Sequence, residues 1–111
     1  MEKHVVTAPL ITTLDSVCGH TIIDVLGVVR GAVLLEALGN ISSRRIDPAE
    51  LNRAHDTALD KLRAAGRIVG AHAVLNVRLT TSLVSAGYKN FATEVLAYGT
   101  AVRLAPSNEA S

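Results

Sequence analysis

At 111 residues the chain has the size of one domain, long enough to bury roughly 65% of its unfolded surface. Hydrophobic residues make up 49% of it and aromatics 3%, with no Trp, so the core has to be built from Val, Leu, Ile and Ala. The 11 Lys and Arg against 10 Asp and Glu leave a net charge of +1. With two Tyr and one Phe as well, the chain lacks both the field and the stacking surface that nucleic-acid binding uses.

The residues from Met1 to Asp15, interrupted by Pro9, lack the continuous apolar run of a signal peptide. No stretch approaches the ~20 apolar residues of a membrane span. Cys18 is the single cysteine, which excludes an internal disulfide and fits a reducing compartment. A cytoplasmic protein with neither nucleic-acid nor membrane partners is expected.

A strand is predicted over Thr21 to Val29, with Ile23, Val25 and Val29 opposing Ile22, Leu26 and Val28. Ala32 to Leu38 reads as a further short element. A long helix follows over Asp47 to Val69. Asp47 is an N-cap, Pro48 suits the first helical position, Glu50 completes a capping box, and Gly70 suits a left-handed C-cap. Leu51, Ala54, Ala58, Leu59, Leu62, Ala65 and Val69 form its apolar stripe, and Gly66 weakens its last turn. Arg53, Asp56, Asp60, Arg63 and Arg67 lie opposite. A hairpin closes the domain. Its first strand, Ala73 to Val84, alternates with Ala73, Leu75, Val77, Leu79 and Leu83 on one face. After a turn over Ser85 to Asn90, the second strand runs from Phe91 to Leu104. Here Val95, Ala97 and Ala101 oppose Leu96, Tyr98, Val102 and Leu104. Residues 1–105 form the single domain, and Pro106 to Ser111 read as a frayed tail.

The expected fold is therefore α+β: a small antiparallel or mixed sheet of three to four strands with one long helix packed on one face. Strands that are apolar on both faces need cover on both, and one helix supplies one. A second copy of the chain is the simplest cover for the rest, so a homo-oligomer is expected.

Few residues point to chemistry. Cys18 and His20 flank Gly19, and thiolate with imidazole suits a divalent metal ion. Two positions apart in extended backbone, they can face the same way. The competing role is a buried thiol beside a surface imidazole. Ser42, Ser43, Arg44 and Arg45 precede the helix and form a candidate anion-binding loop. His55 reads as a boundary residue of the stripe, and His72 as a cap on a helix carbonyl. Asp24 interrupts an apolar strand, where it marks either the sheet edge or, if buried, an interface or ligand site. Glu94 reads as solvated. Gly27 and Gly99 sit inside strands, where Gly marks a bulge, a kink or a close backbone approach; in an oligomer they are the candidate packing positions. No Ser-His-Asp arrangement, paired carboxylates or Gly-rich phosphate loop is present, so no catalytic residue is assigned.

Several segments taken together resemble one family. They are Thr12-Thr13, Gly19, Leu26-Gly27-Val28-Val29-Arg30-Gly31, Arg63-Ala64, Gly70-Ala71-His72-Ala73-Val74, Val77 and Gly99-Thr100-Ala101-Val102. In that order they resemble the YbjQ-like family of "putative heavy-metal-binding" proteins. The resemblance implies a small α/β subunit that assembles into a ring, typically a pentamer, with no agreed activity. The family's Gly-Gly-Arg-Ser-like loop, followed by Tyr and Glu, is replaced here by the shorter segment Asn40 to Pro48. The expected function is a non-enzymatic, ring-forming protein that binds a metal ion or another small ligand. A scaffold contacting another protein is the alternative. An enzyme drawing Asp24, His20 or Arg44 from different chains to a subunit interface is the third reading.

Overall fold

The computed structural model describes residues 8–36, 48–85 and 91–107. Four strands and one helix follow in chain order: β1 Leu10–Ile11, β2 His20–Glu36, α1 Pro48–Ile68, β3 Ala73–Ser85 and β4 Phe91–Pro106. The sheet order is β1-β3-β4-β2, with β4 antiparallel to both neighbours and β1 parallel to β3. The expected α+β class with a mixed sheet and one covering helix is the one observed.

The helix starts and stops close to where its local sequence places it. Asp47 and the capping box lie outside the described residues, so the start is seen only from Pro48. At the far end Gly70 has φ of 81°. Its N–H donates to the Arg67 carbonyl at 3.0 Å, and the Ala71 N–H donates to the Gly66 carbonyl at 2.9 Å. This double closure is a Schellman motif, and it satisfies two carbonyls that the helix leaves open. On the solvent side Arg63 pairs with Asp60 at 3.0 Å, worth a few tenths of a kcal/mol at that exposure.

Ala54, Ala58 and Leu62 are buried against Val74, Val77, Val95 and Ala97 of the sheet. Gly66, expected to loosen the last turn, is itself buried: a Cβ there would stand 2.9 Å from Val74 Cγ2. The small residue is what lets the helix end lie on β3. The closest approach, however, is at Gly31 of β2. A Cβ on Gly31 would fall 2.5 Å from the Leu62 nitrogen and 2.6 Å from the Ala58 oxygen. The helix backbone thus rests directly on the strand, and α1 lies mainly over β2 and β4, with little of it over β3.

Three strand predictions need correction. The described part of Ala32 to Leu38, up to Glu36, is no separate element: β2 simply continues to Glu36, in register with Ala92, and Ala37 and Leu38 lie outside the described residues. The pairing of β2 shifts twice, between Ile22 and Asp24 and between Val25 and Gly27. Each shift inverts the parity of the strand. Ile22, Val25 and Val28 therefore share the face away from the helix, in register with Leu104, Val102 and Thr100. The third correction concerns β3, whose pairing shifts between Leu75 and Arg78, where Asn76 has φ of 53°. Ala73 and Leu75 pack with Val102 on the open face, whereas Val77 joins the core under the helix. The smooth alternation read from sequence is broken by one inserted residue.

The chain supplies part of its own second cover. The segment after β1 bonds to the start of β3 through Thr12, Leu14, Asn76 and Val77. It then crosses the open face, where Val17, like Leu104, packs on the cluster of Ala73, Leu75 and Val102. A tight turn at Gly19 (φ 79°), closed by the His20 N–H on the Val17 carbonyl at 3.0 Å, leads into β2. Pro106 and Ser107, assigned to the tail, are tied in as well: Pro106 pairs with His20, and the Ser107 N–H donates to the Gly19 carbonyl at 2.8 Å.

The rest of the open face stays uncovered. Val28 is 75% exposed, Val25 65% and Leu34 51%. The radius of gyration is 17.7 Å, against about 13 Å for a compact domain of this length. An elongated subunit with apolar strands left bare has more surface to lose than it can hide alone.

Candidate functional site

The predicted site residues scatter. Cys18 is exposed, which corrects the reading of it as a buried thiol. The His20 Nδ1 lies 3.1 Å from the Cys18 carbonyl and donates to it, leaving only Nε2 outward. No group of three or more His, Cys, Asp or Glu side chains gathers anywhere among the described residues. Ser43, Arg44 and Arg45 lie outside the described residues. Asp24 is exposed on edge strand β2, in register with Arg103, so it marks the sheet edge. Glu94, expected to be solvated, is half-buried in the row of Leu34 and Ser82.

The structure gives Gly27 and Gly99 reasons within one chain. Gly27 stands at the second irregularity of β2 with φ of 113°, where a Cβ would meet nothing within 4 Å. Gly99 is the opposite case, since its Cβ would stand 2.7 Å from Val74 Cγ1 and 2.8 Å from the Leu75 carbonyl. Gly27 is needed for its backbone conformation and Gly99 for space inside the subunit.

His72 does not cap a helix carbonyl. Its Nδ1 accepts from the Leu104 N–H at 2.8 Å and so closes the end of the β3–β4 pairing. His72→Ala should cost about 1 kcal/mol in denaturant-derived stability. It should also speed amide exchange at Leu104; unchanged exchange there would refute the role.

Two surfaces stand out that sequence reading missed. Because α1 covers only the start of β3, an apolar groove of about 370 Å³ opens between the helix and the strand beyond, lined by Ile11, Leu59, Val77, Arg78 and Leu79 among others. It runs beside the outer edge of β3. On the open face Arg30, Tyr98 and Arg78 form one cross-strand row: Tyr98 is in register with both arginines. Only the register, which no single segment encodes, brings these three together.

Comparison with known proteins settles the family. The sequence profile of the YbjQ family, described as "putative heavy-metal-binding", matches residues 9–105. The chain belongs to the YbjQ family. A "UPF0145 protein" of Thermus thermophilus is 37% identical to it over 111 residues, covering 90% of this chain and 94% of the relative. Another from Archaeoglobus fulgidus is 38% identical over 115 residues, covering 94% and 99%. A crystal structure of a protein of unknown function of the DUF74 family, from Pediococcus pentosaceus, superposes with a TM-score of 0.63. It is 21% identical, spans 87% of this chain and 98% of that one, and supports the YbjQ fold alone.

The description of the YbjQ family implies a metal, and the described residues of one subunit do not fit it. Cys18 and His20 offer two donors where a structural zinc site needs four. Isothermal titration of the protein with zinc should show no binding that Cys18→Ser abolishes. A tight, Cys18-dependent isotherm would contradict this.

Proposed function

We propose that this YbjQ-family chain is a non-enzymatic, cytoplasmic subunit that assembles head to tail through its strand edges into a closed ring, five copies by the family resemblance. One observation carries the proposal: the sheet has two unlike free edges, each beside exposed apolar side chains. The first is the whole outer side of β2, whose 17 residues pair only with β4. Ile22, Ile23, Val25, Val28 and Leu34 are exposed along it. The second is β3 beyond Val77, where β1 and the segment after it no longer reach. There Leu79 and Leu83 lie exposed next to the apolar groove.

A long, apolar, unpaired edge is a template for another strand, and isolated proteins blunt such edges with charge, proline or cover. Here no proline interrupts β2, no described element covers its outer side, and beyond its two irregularities only Arg30 and the terminal Glu36 are charged. Two copies meeting through the same edge would leave the other edge bare in each. Joining β2 of one copy to β3 of the next leaves neither wholly bare, and such a heterologous contact forms a ring when its rotation closes.

Native mass spectrometry tests this directly. The expected spectrum has one dominant closed multiple of the 11.7 kDa subunit, larger than a dimer. A dominant single subunit would refute assembly, and a dominant dimer would refute the head-to-tail mode.

A further inference from the structure

We propose that the open face of the sheet carries a binding site for a phosphoryl dianion, formed by Arg30, Tyr98 and Arg78. Tyr98 sits in the middle strand, with Arg30 opposite it on β2 and Arg78 opposite it on β3. Residues in register point their Cβ atoms to the same side of the sheet, so all three side chains leave it on the face away from α1, with Arg78 at the border of the groove that it also lines. With strands ~4.8 Å apart, the two arginine Cα atoms are ~10 Å apart across Tyr98. Side chains as long as arginine can converge from that distance on one tetrahedral group above the phenol. Each guanidinium then offers paired N–H donors, and the phenol offers a third direction.

The charge at the row matches a dianion. Both arginines are exposed, and neither is paired with a carboxylate: the one ion pair among the described residues is Arg63 with Asp60, on the helix. Arg78 makes one weak bond, from Nη1 to the Val77 carbonyl at 3.2 Å, so most of its donors are free. Among the described residues the carboxylates near this row are Asp15, on the segment that crosses the face beside Asn76, and Glu94, four residues along β4 and so ~13 Å from Tyr98; neither forms an ion pair with Arg30 or Arg78. The neighbouring rows are mainly apolar or hydroxyl-bearing: Val28, Thr100 and Leu75 on one side, Ala32, Leu96 and Thr80 on the other. Two positive charges, neither of them in an ion pair among the described residues, favour a ligand carrying two negative ones. A single carboxylate would match only half of that charge. The site does not rest on the ring: pairing through strand edges extends the sheet in its own plane and leaves this face open.

The test is titration calorimetry of the intact protein with inorganic phosphate and, separately, with phenyl phosphate. Native mass spectra of every variant keep loss of assembly distinct from loss of the site. Both probes should bind. Arg30→Gln and Arg78→Gln should each weaken binding by about tenfold or more, and Tyr98→Phe by severalfold. Arg103→Gln, an exposed arginine of β4 outside the row, should leave binding unchanged. Tighter binding of phenyl phosphate would mark an ester as the ligand, and equal binding the free ion; both support the site. No binding of either probe overturns it. So does binding that survives both row substitutions, or that Arg103→Gln weakens as much as they do, since that would be bulk charge.

Discussion

Gly31→Ala is expected to destabilise the subunit by about 3 kcal/mol, the upper end for overfilling a packed interior. The new methyl carbon would lie 2.5 Å from the Leu62 nitrogen, 2.6 Å from the Ala58 oxygen and 2.7 Å from the Lys61 Cβ. Carbon in ordinary contact stands near 3.5–4.0 Å, so α1 has to lift by about 1 Å. Two of the three atoms belong to the helix backbone, which cannot rotate aside as a side chain would. Lifting α1 separates Ala58 and Leu62 from Val95 and Ala97, and these residues form the main core. Urea denaturation followed by circular dichroism measures the loss as a lower midpoint. Gly27→Ala is the comparison. Its side chain meets nothing within 4 Å, so it should cost only the strain of a positive φ, about 1–2 kcal/mol. If Gly31→Ala unfolds no more easily than Gly27→Ala, the helix does not rest on β2 as described.

Val28→Lys is expected to convert the ring into single subunits at micromolar concentration. Val28 is 75% exposed within one chain, so a lysine there disturbs no packing of the subunit itself. In the proposed assembly the same position lies beside the strand of the next copy. A lysine there sets a charge on the pairing edge, where the apolar side chains of two copies would otherwise meet, at every contact of the ring. Lysine on an edge strand is also a common natural device for preventing strand addition. Light scattering behind size exclusion should report a mass near 11.7 kDa for this variant, with circular dichroism unchanged. Ala64→Lys, on the exposed side of α1, should keep the wild-type mass. A Val28→Lys protein that retains the full assembly mass would remove β2 from the contact.

What was legible in the sequence was local. The helix could be placed to within a residue or so, because the signals at Pro48 and Gly70 act within one turn of the chain. The two faces of β4 were legible too: Val95, Ala97 and Ala101 do oppose Leu96, Tyr98, Val102 and Leu104, since that strand carries no irregularity of its own to invert them. The single-helix imbalance was visible as well, and the exposed valines of β2 are its structural form.

The rest depended on how segments met. One residue at Asn76 and two shifts in β2 reversed which side chains share a face. A periodic pattern cannot reveal such an insertion, because its stabilisation comes from the partner strand. Gly31 read as one more strand glycine until the helix backbone was seen to lie on it. Arg30, Arg78 and Tyr98 come from three strands far apart in sequence, and their alignment is a property of register alone. Composition and short-range spacing determined which elements exist and that one face would lack cover; only the packed sheet decided which residues stand on that face, because pairing partners are chosen in three dimensions.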